Sequence, residues 1–226
     1  MSNNSLEKAE TLFWLGRYSE RVFTTLEIFY SYYGALPEDG PHSYVEFCKK
    51  LGIPNVYSNQ EKFVQGYLYD RSNPDSVASS IDRAYDSAIT VTEEIGERTL
   101  LYLERAHAVM KKCKGDCDRI SQYEKVIDQF YAFWGCVDDK VEDEEHRNLM
   151  KVGRYVERLD LYMRLSVEWK RIDKEFSKLD RRIKKIKRPY GKKQLDRLEA
   201  IFRKQDNWKE DYNEALCCLN DLFLME

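Results

Sequence analysis

Glycine and proline are scarce, 10 and 5 in 226 residues, which leaves little room for a chain of turns and short strands. Long apolar runs are missing too. No stretch approaches the roughly 18 apolar residues of a membrane span. The opening "MSNNSLEKAE" carries neither a basic nor an apolar leader, so the expectation is a cytoplasmic protein with no membrane association. Histidine occurs three times, at His42, His107 and His146, with no nucleophile signature beside any of them, which argues against an autonomous cysteine peptidase. A glycine-rich phosphate cradle is absent, so the chain is not itself an ATP-using ligase of that kind. No apolar/polar alternation of strand type appears anywhere.

Metal chemistry is equally thin. The six cysteines come without an export signal and read as free thiols of a reducing compartment. Cys113 and Cys117 in "CKGDC" lack the two further ligands that zinc requires. Glu104 and His107 form one Glu-x-x-His pair and Asp143 and His146 a weakened second, short of the carboxylate set of a di-iron bundle. The expectation is no metal and no cofactor.

What is present is helix. Hydrophobic residues make up 42% and charged residues 34%, the balance of a globular protein with solvated helix faces. The pattern predicts helices over 6–33, opened by Asn4 and Glu7, over 44–51, and after a Ser58–Glu61 capping box. A long helix follows from Asn73 and Pro74 to about Lys112, with Val77, Ile81, Ala84, Ala88, Val91 and Ile95 on one face. Further helices are predicted over 119–137, 144–187, 194–204 and 208–224. "RPYG", 188–191, stops the longest of them. The fold class is therefore an all-α bundle of long antiparallel helices in one domain, 1–226, with a subdivision near 188–191 that sets off a C-terminal helical hairpin, 192–226.

Charge is uneven. Residues 1–150 carry a balance of −9 and residues 151–226 one of +6, an asymmetry that can orient a partner. The run "RRIKKIKRPYGKK", 181–193, holds eight basic residues, but its spacing turns Ile183 and Ile186 inward and the bases outward. A solvated helix end fits better than a nucleic-acid site, and the acidic stretch 138–145 of another copy, or a companion protein, is the more economical target.

The feature that stands out is a repeat. "FWLGRYSERVF" at 13–23 and "MKVGRYVERLD" at 150–160 share Gly-Arg-Tyr-x-Glu-Arg, 137 residues apart. Projection at about 100° per residue puts Ala9, Phe13, Gly16, Glu20, Thr24 and Glu27 on one stripe, with Arg17 beside it and large apolar side chains on both flanks. Gly153 and Glu157 fall on the matching stripe, where Arg164 takes the place of Glu27. Gly16 and Gly153 permit close backbone approach, and an enclosed glutamate needs a cation. Two readings stay open. Glu20 and Glu157 pair with Arg17, Arg21, Arg154 and Arg158 in a buried network, or the same residues line a cleft for a carboxylate, phosphate or peptide end.

Three stretches carry a resemblance: "AETLFWLGRYSERV", "DRSNPDSVASSIDRAYDSA" and "FYAFWGCVDDKVEDEEHRNLMKVGRYVERLDLYMRL". Together they resemble the alpha-E domain family of bacterial and archaeal proteins, with its Gly-Arg-Tyr-x-Glu-Arg string, its Asn-Pro-x-Ser segment and its second Gly-Arg-x-x-Glu-Arg region. The family's Ala-Arg-Glu-Asn-Ala-Arg segment is degenerate here: Arg83 and Ala84 are followed by Tyr85, Asp86, Ser87, Ala88 and Ile89. The resemblance implies a helical fold and a context of circularly permuted ATP-grasp and transglutaminase-like proteins. It implies an accessory or substrate-binding subunit of a peptide or amide ligation system, whose partners are an ATP-grasp-type ligase, a transglutaminase-like peptidase, or another copy of this chain. The alternative is an enzyme component with Glu20 and Glu157 as acid or base. On either reading the binding residues are Arg17, Tyr18, Glu20, Arg21, Arg83, Arg154, Tyr155, Glu157 and Arg158.

Overall fold

A computed structural model describes residues 3–32, 43–113 and 119–223. Every regular element among them is helical: α1 (Asn3–Tyr32), α2 (Tyr44–Leu51), α3 (Gln60–Val64), α4 (Val77–Thr90), α5 (Thr92–Ile95), α6 (Glu97–Lys112), α7 (Arg119–Lys140), α8 (Glu144–Arg164), α9 (Trp169–Ile183), α10 (Lys192–Phe202) and α11 (Tyr212–Asn220). A π-helical turn, Gln65–Tyr69, follows α3, and a 3₁₀ turn, Gln205–Asp211, precedes α11. His42 and Cys117 and the side chain of Asn4 lie outside the described residues.

Several predicted boundaries move, each for a local reason. Ser76, not Asn73, caps α4, its hydroxyl accepting from Ser79 N at 3.0 Å, while Asn73 Oδ1 accepts from Asp75 N at 3.0 Å in a side-chain-stabilised turn around Pro74. Asn59 rather than Ser58 caps α3, accepting from Lys62 N. The predicted helix to Lys112 breaks at Gly96, which takes φ 81°, a conformation glycine adopts without strain. The apolar face from Val77 to Ile95 is nonetheless buried throughout. The predicted helix 144–187 breaks after Arg164, where Ser166 sits at φ 54° with no glycine or proline to announce it. The break lets α9 fold back antiparallel on α8 and bury Ile172, Phe176, Leu179 and Ile183, each contributing about 1.5–3 kcal/mol. Packing overrides local propensity there. The predicted last helix, 208–224, is a 3₁₀ turn followed by the shorter α11.

At the basic run, Ile183 and Ile186 are buried as the spacing requires. Lys185 pairs with Glu144 at 3.2 Å and Lys187 N donates to Glu145, so the acidic stretch it meets belongs to the same chain.

The centre is the long contact between α1 and α8. The touching positions advance together along both helices, so α1 and α8 run in parallel. α4 lies on α1, α9 on α8, and α6 pairs with α7. Beneath the C-terminal half of α1, Phe29, Phe47, Phe63 and Tyr67 form an aromatic cluster with ring centroids 5.3–5.9 Å apart.

Gly135, exposed in the C-terminal half of α7, would bring an added Cβ into contact with nothing within 4 Å. Gly135→Ala is therefore expected to stabilise by about 0.5–1 kcal/mol, read as a melting-temperature rise of about 1–4 °C. A fall would mean that α7 needs the glycine.

Candidate functional site

Glycine sets the approach. A Cβ on Gly16 would stand 2.1 Å from the Met150 carbonyl oxygen, and one on Gly153 would stand 2.0 Å from that of Phe13. The offset of 137 residues relates Phe13 to Met150 just as it relates the two glycines, so the contact has an internal two-fold relation. Backbone lies on backbone at this level.

One turn further on, the two helices exchange charges. Arg17 Nε donates to Glu157 Oε2 at 2.7 Å and Arg21 Nε to Oε1 at 2.6 Å. In mirror fashion Arg154 Nε donates to Glu20 Oε2 at 3.1 Å and Arg158 Nε to Oε1 at 2.5 Å. Thr24 Oγ1 adds a donor to Glu20 at 2.7 Å. Both glutamates are 0% exposed, and each carboxylate is held by two cations, the condition for tolerating a buried charge.

The flanks are less alike. Arg17 lies over the Trp14 ring at 5.0 Å and Arg154 over Trp134 of α7 at 4.3 Å, since Lys151 occupies the position matching Trp14. The second nitrogen of Arg17 donates to Asn220 Oδ1 at 3.1 Å, and the Asn220 amide donates to Asp160 Oδ1 at 3.1 Å. Phe223 stacks on Phe13 at 4.2 Å. On the other flank Arg158 also reaches Glu175 at 3.2 Å, which Lys178 shares at 2.7 Å.

Of the predicted residues, the structure brings Gly16, Arg17, Glu20, Arg21, Gly153, Arg154, Glu157 and Arg158 into this one interface. The tyrosines face outward from it in matching ways: Arg83 lies 5.7 Å over Tyr18 and Lys178 5.8 Å over Tyr155. Arg83 does not reach the glutamates. It donates to the Pro74 carbonyl at 3.1 Å, holding the loop before α4 against α1. Arg164 falls on the stripe that the sequence marks, whereas Asn148, Lys151, Asp160, Glu175, Lys178, Arg182 and Asn220 are not singled out by the sequence. Asp160 and Arg164 form an i,i+4 pair and Glu175 and Lys178 an i,i+3 pair, each at 2.7 Å, which are local signals; Asn148 and Lys151 sit on α8 beside the repeat, and Arg182 and Asn220 arrive from helices without it.

The weaker constellations resolve differently. His107 Nε2 pairs with Asp82 at 3.0 Å and its ring stacks on Tyr85 at 4.8 Å. Asp143 caps α8, accepting from His146 N at 3.0 Å. No cluster of three or more metal-ligating side chains occurs among the described residues. A groove of about 400 Å³ between α9 and α10 is lined by Trp169, Asp173, Phe176, Asp180, Glu199 and Phe202 and includes none of the predicted site residues. Cys48 is fully buried and its thiol is pushed up to about 11 by that burial, which makes it a poor nucleophile.

Burial pushes the Glu157 carboxyl up, but Arg21 and then Arg17 outweigh it and hold it below glutamate's ordinary 4.5. A depressed folded value means the folded state binds fewer protons than the unfolded one, so this stabilisation is complete above about pH 4.5 and is lost as pH falls through the folded value. Urea midpoints measured from about pH 6 down to pH 3 should fall steeply for the native chain and less steeply for Glu157→Gln. Parallel curves would refute the assignment.

This is a class of protein defined by its centre: a helical bundle whose two repeat-related helices exchange arginine for glutamate across a glycine contact. The chain belongs to the Alpha-E family, described as a predicted alpha-helical domain with a conserved ER motif, which matches residues 7–198. Glu20-Arg21 and Glu157-Arg158 are Glu-Arg pairs at the centre, whereas those at 97–98 and 104–105 are exposed on α6. No curated protein and no solved structure matches the chain. No helix among the described residues is long and apolar enough to cross a membrane.

Proposed function

We propose that this chain is a non-catalytic accessory subunit, binding a partner enzyme or its peptide substrate in an ATP-grasp-linked peptide or amide ligation system. The observation that supports the accessory role is the pairing of Glu20 and Glu157. All four of their carboxylate oxygens accept from arginines of the opposite helix. An acid or base needs a free oxygen within reach of a substrate proton, and these two are committed to holding α1 on α8. The partner follows from the family resemblance: a circularly permuted ATP-grasp ligase, a transglutaminase-like peptidase, or both. A rigid two-helix centre flanked by Tyr18, Arg83, Tyr155 and Lys178 suits a subunit that presents fixed aromatic and cationic groups to another protein.

The test is calorimetry or sedimentation of the purified chain with the ATP-grasp ligase and the transglutaminase-like peptidase of the same organism. A complex with either at about micromolar affinity or tighter supports the reading. Binding to neither, or turnover of a carboxylate substrate by the chain alone that Glu157→Gln abolishes without unfolding, overturns it.

A further inference from the structure

The two flanks of the α1–α8 pair begin alike and end differently. On the Arg17 flank the surplus hydrogen-bonding capacity is used within the fold, through Asn220, Asp160 and Arg164. On the Arg154 flank it is used only in part, where Arg158 also reaches Glu175 of α9. There α9 brings Arg182 against α8, beside that helix's own Lys151 and Arg154, and their compensation is incomplete.

Arg182 of α9 has no carboxylate partner among the described residues; its guanidinium donates instead to the neutral Asn148 Oδ1 at 3.0 Å. Lys151 pairs with Asp138, a half-exposed aspartate of α7. Arg154 must share Glu20 with Arg158. Three cations therefore gather around one exposed aspartate and one divided glutamate. Burial acts against the protonated form of Lys151, Asp138 offsets it in part, and the proximity of Arg182 and Arg154 adds a smaller push in the same direction as burial. Like charges crowded in a partly desolvated place are unfavourable unless something negative joins them.

Two neutral donors point the same way. The Trp134 indole Nε1 is buried without a hydrogen-bond partner, on the ring that Arg154 covers at 4.3 Å. The Asn148 amide nitrogen is also buried, approaching Glu144 without closing a hydrogen bond, and its other end is already held by Arg182. A buried donor left without an acceptor is unfavourable. Both donors and all three cations ask for an acceptor.

We propose that this flank, between α7, α8 and α9, is a phosphate-binding site formed by Trp134, Asn148, Lys151, Arg154 and Arg182. Five donor groups from three helices exceed what the two oxygens of a carboxylate can accept, whereas a phosphate monoester offers three charged oxygens and up to two negative charges. Access is at Arg154, whose side chain is 17% exposed, and at Asp138, the 55% exposed partner of Lys151. The site does not depend on any ligase partner.

The experiment uses the purified full chain. Nitrogen-15 spectra of the indole and guanidinium groups are followed while inorganic phosphate and, separately, phenyl phosphate are added at constant ionic strength set with sodium chloride. Sodium acetate serves as the carboxylate probe. The Trp134 indole signal, identified by its loss in Trp134→Phe, should shift saturably with phosphate, and Arg182→Gln should weaken binding about tenfold or more while the melting temperature stays close to that of the native chain. Saturation by phenyl phosphate at equal or lower concentration places the phosphate on an organic ligand; saturation by inorganic phosphate alone keeps the site and limits it to the free ion. Absence of a saturable shift below about 50 mM of either phosphate, an equal response to acetate, or unchanged affinity in Arg182→Gln overturns the proposal. Ligase binding is measured separately, so failure of one leaves the other standing.

Discussion

Gly153→Ala should destabilise the protein by about 3–5 kcal/mol and lower its melting temperature by about 10 °C. The sign is opposite to the usual result, because alanine in a helix interior is favoured over glycine by about 1 kcal/mol. What reverses it is the contact on the other side. The new methyl would lie 2.0 Å from the Phe13 carbonyl oxygen, and a backbone carbonyl cannot swing aside as a side chain can. The helices must separate instead, and separation lengthens every arginine–glutamate bond one turn away. Gly16→Ala meets the Met150 carbonyl at 2.1 Å and should cost about as much. The double variant should cost less than the sum by about 1 kcal/mol or more, since one separation accommodates both methyls. Calorimetry of the four proteins, with Gly135→Ala as the glycine that can be replaced, decides the matter; a Gly153→Ala protein as stable as the native one would sink the close-contact account.

Glu157→Ala should be as damaging by a different route. Removing the carboxylate leaves Arg17 and Arg21 facing one another in a site with little water, and breaking a buried pair from one side typically costs about 3–5 kcal/mol. Glu20→Ala should match it on the other flank. The informative comparison is Glu157→Gln with Arg21→Gln added. If the damage is uncompensated charge, the second substitution restores part of the lost stability, about 1 kcal/mol or more, although it deletes another native contact. Chemical denaturation with the four members of that cycle reads the coupling directly, and losses that simply add would show that charge is not the cause.

The core of this was legible in sequence for a definite reason. Gly16, Glu20 and Arg21 sit at helical spacing among Leu12, Leu15, Val22 and Leu26, so burial of the charges followed from the burial of their neighbours, and the second copy named the partners. The route of the chain was harder to read. Ser166 breaks α8 from α9 although nothing in "MRLSVEW" is a strong stop, because the gain comes from packing α9 back on α8. Asn73 and Ser76 are both good caps, and only the turn that Asn73 makes around Pro74 decides between them. Arg182, Lys178 and Asn220 join the centre from helices whose own sequence shows no more than an amphipathic face, so a reading that proceeds by local spacing passes over them.

The exchange of arginine for glutamate between α1 and α8 also bears on when the protein can fold. Arg17 and Glu157 are 140 residues apart, and Glu20 waits for residues 154 and 158. At a synthesis rate of about 5–20 residues per second, α1 exists for roughly 6–26 seconds before its counterpart has been made. During that interval Glu20 has no fixed cation and the apolar flanks of α1 have no α8 to cover them. Closure of the centre is thus an event of late synthesis, and until then the first half of the chain depends on α4, α6 and α7 for whatever order it keeps.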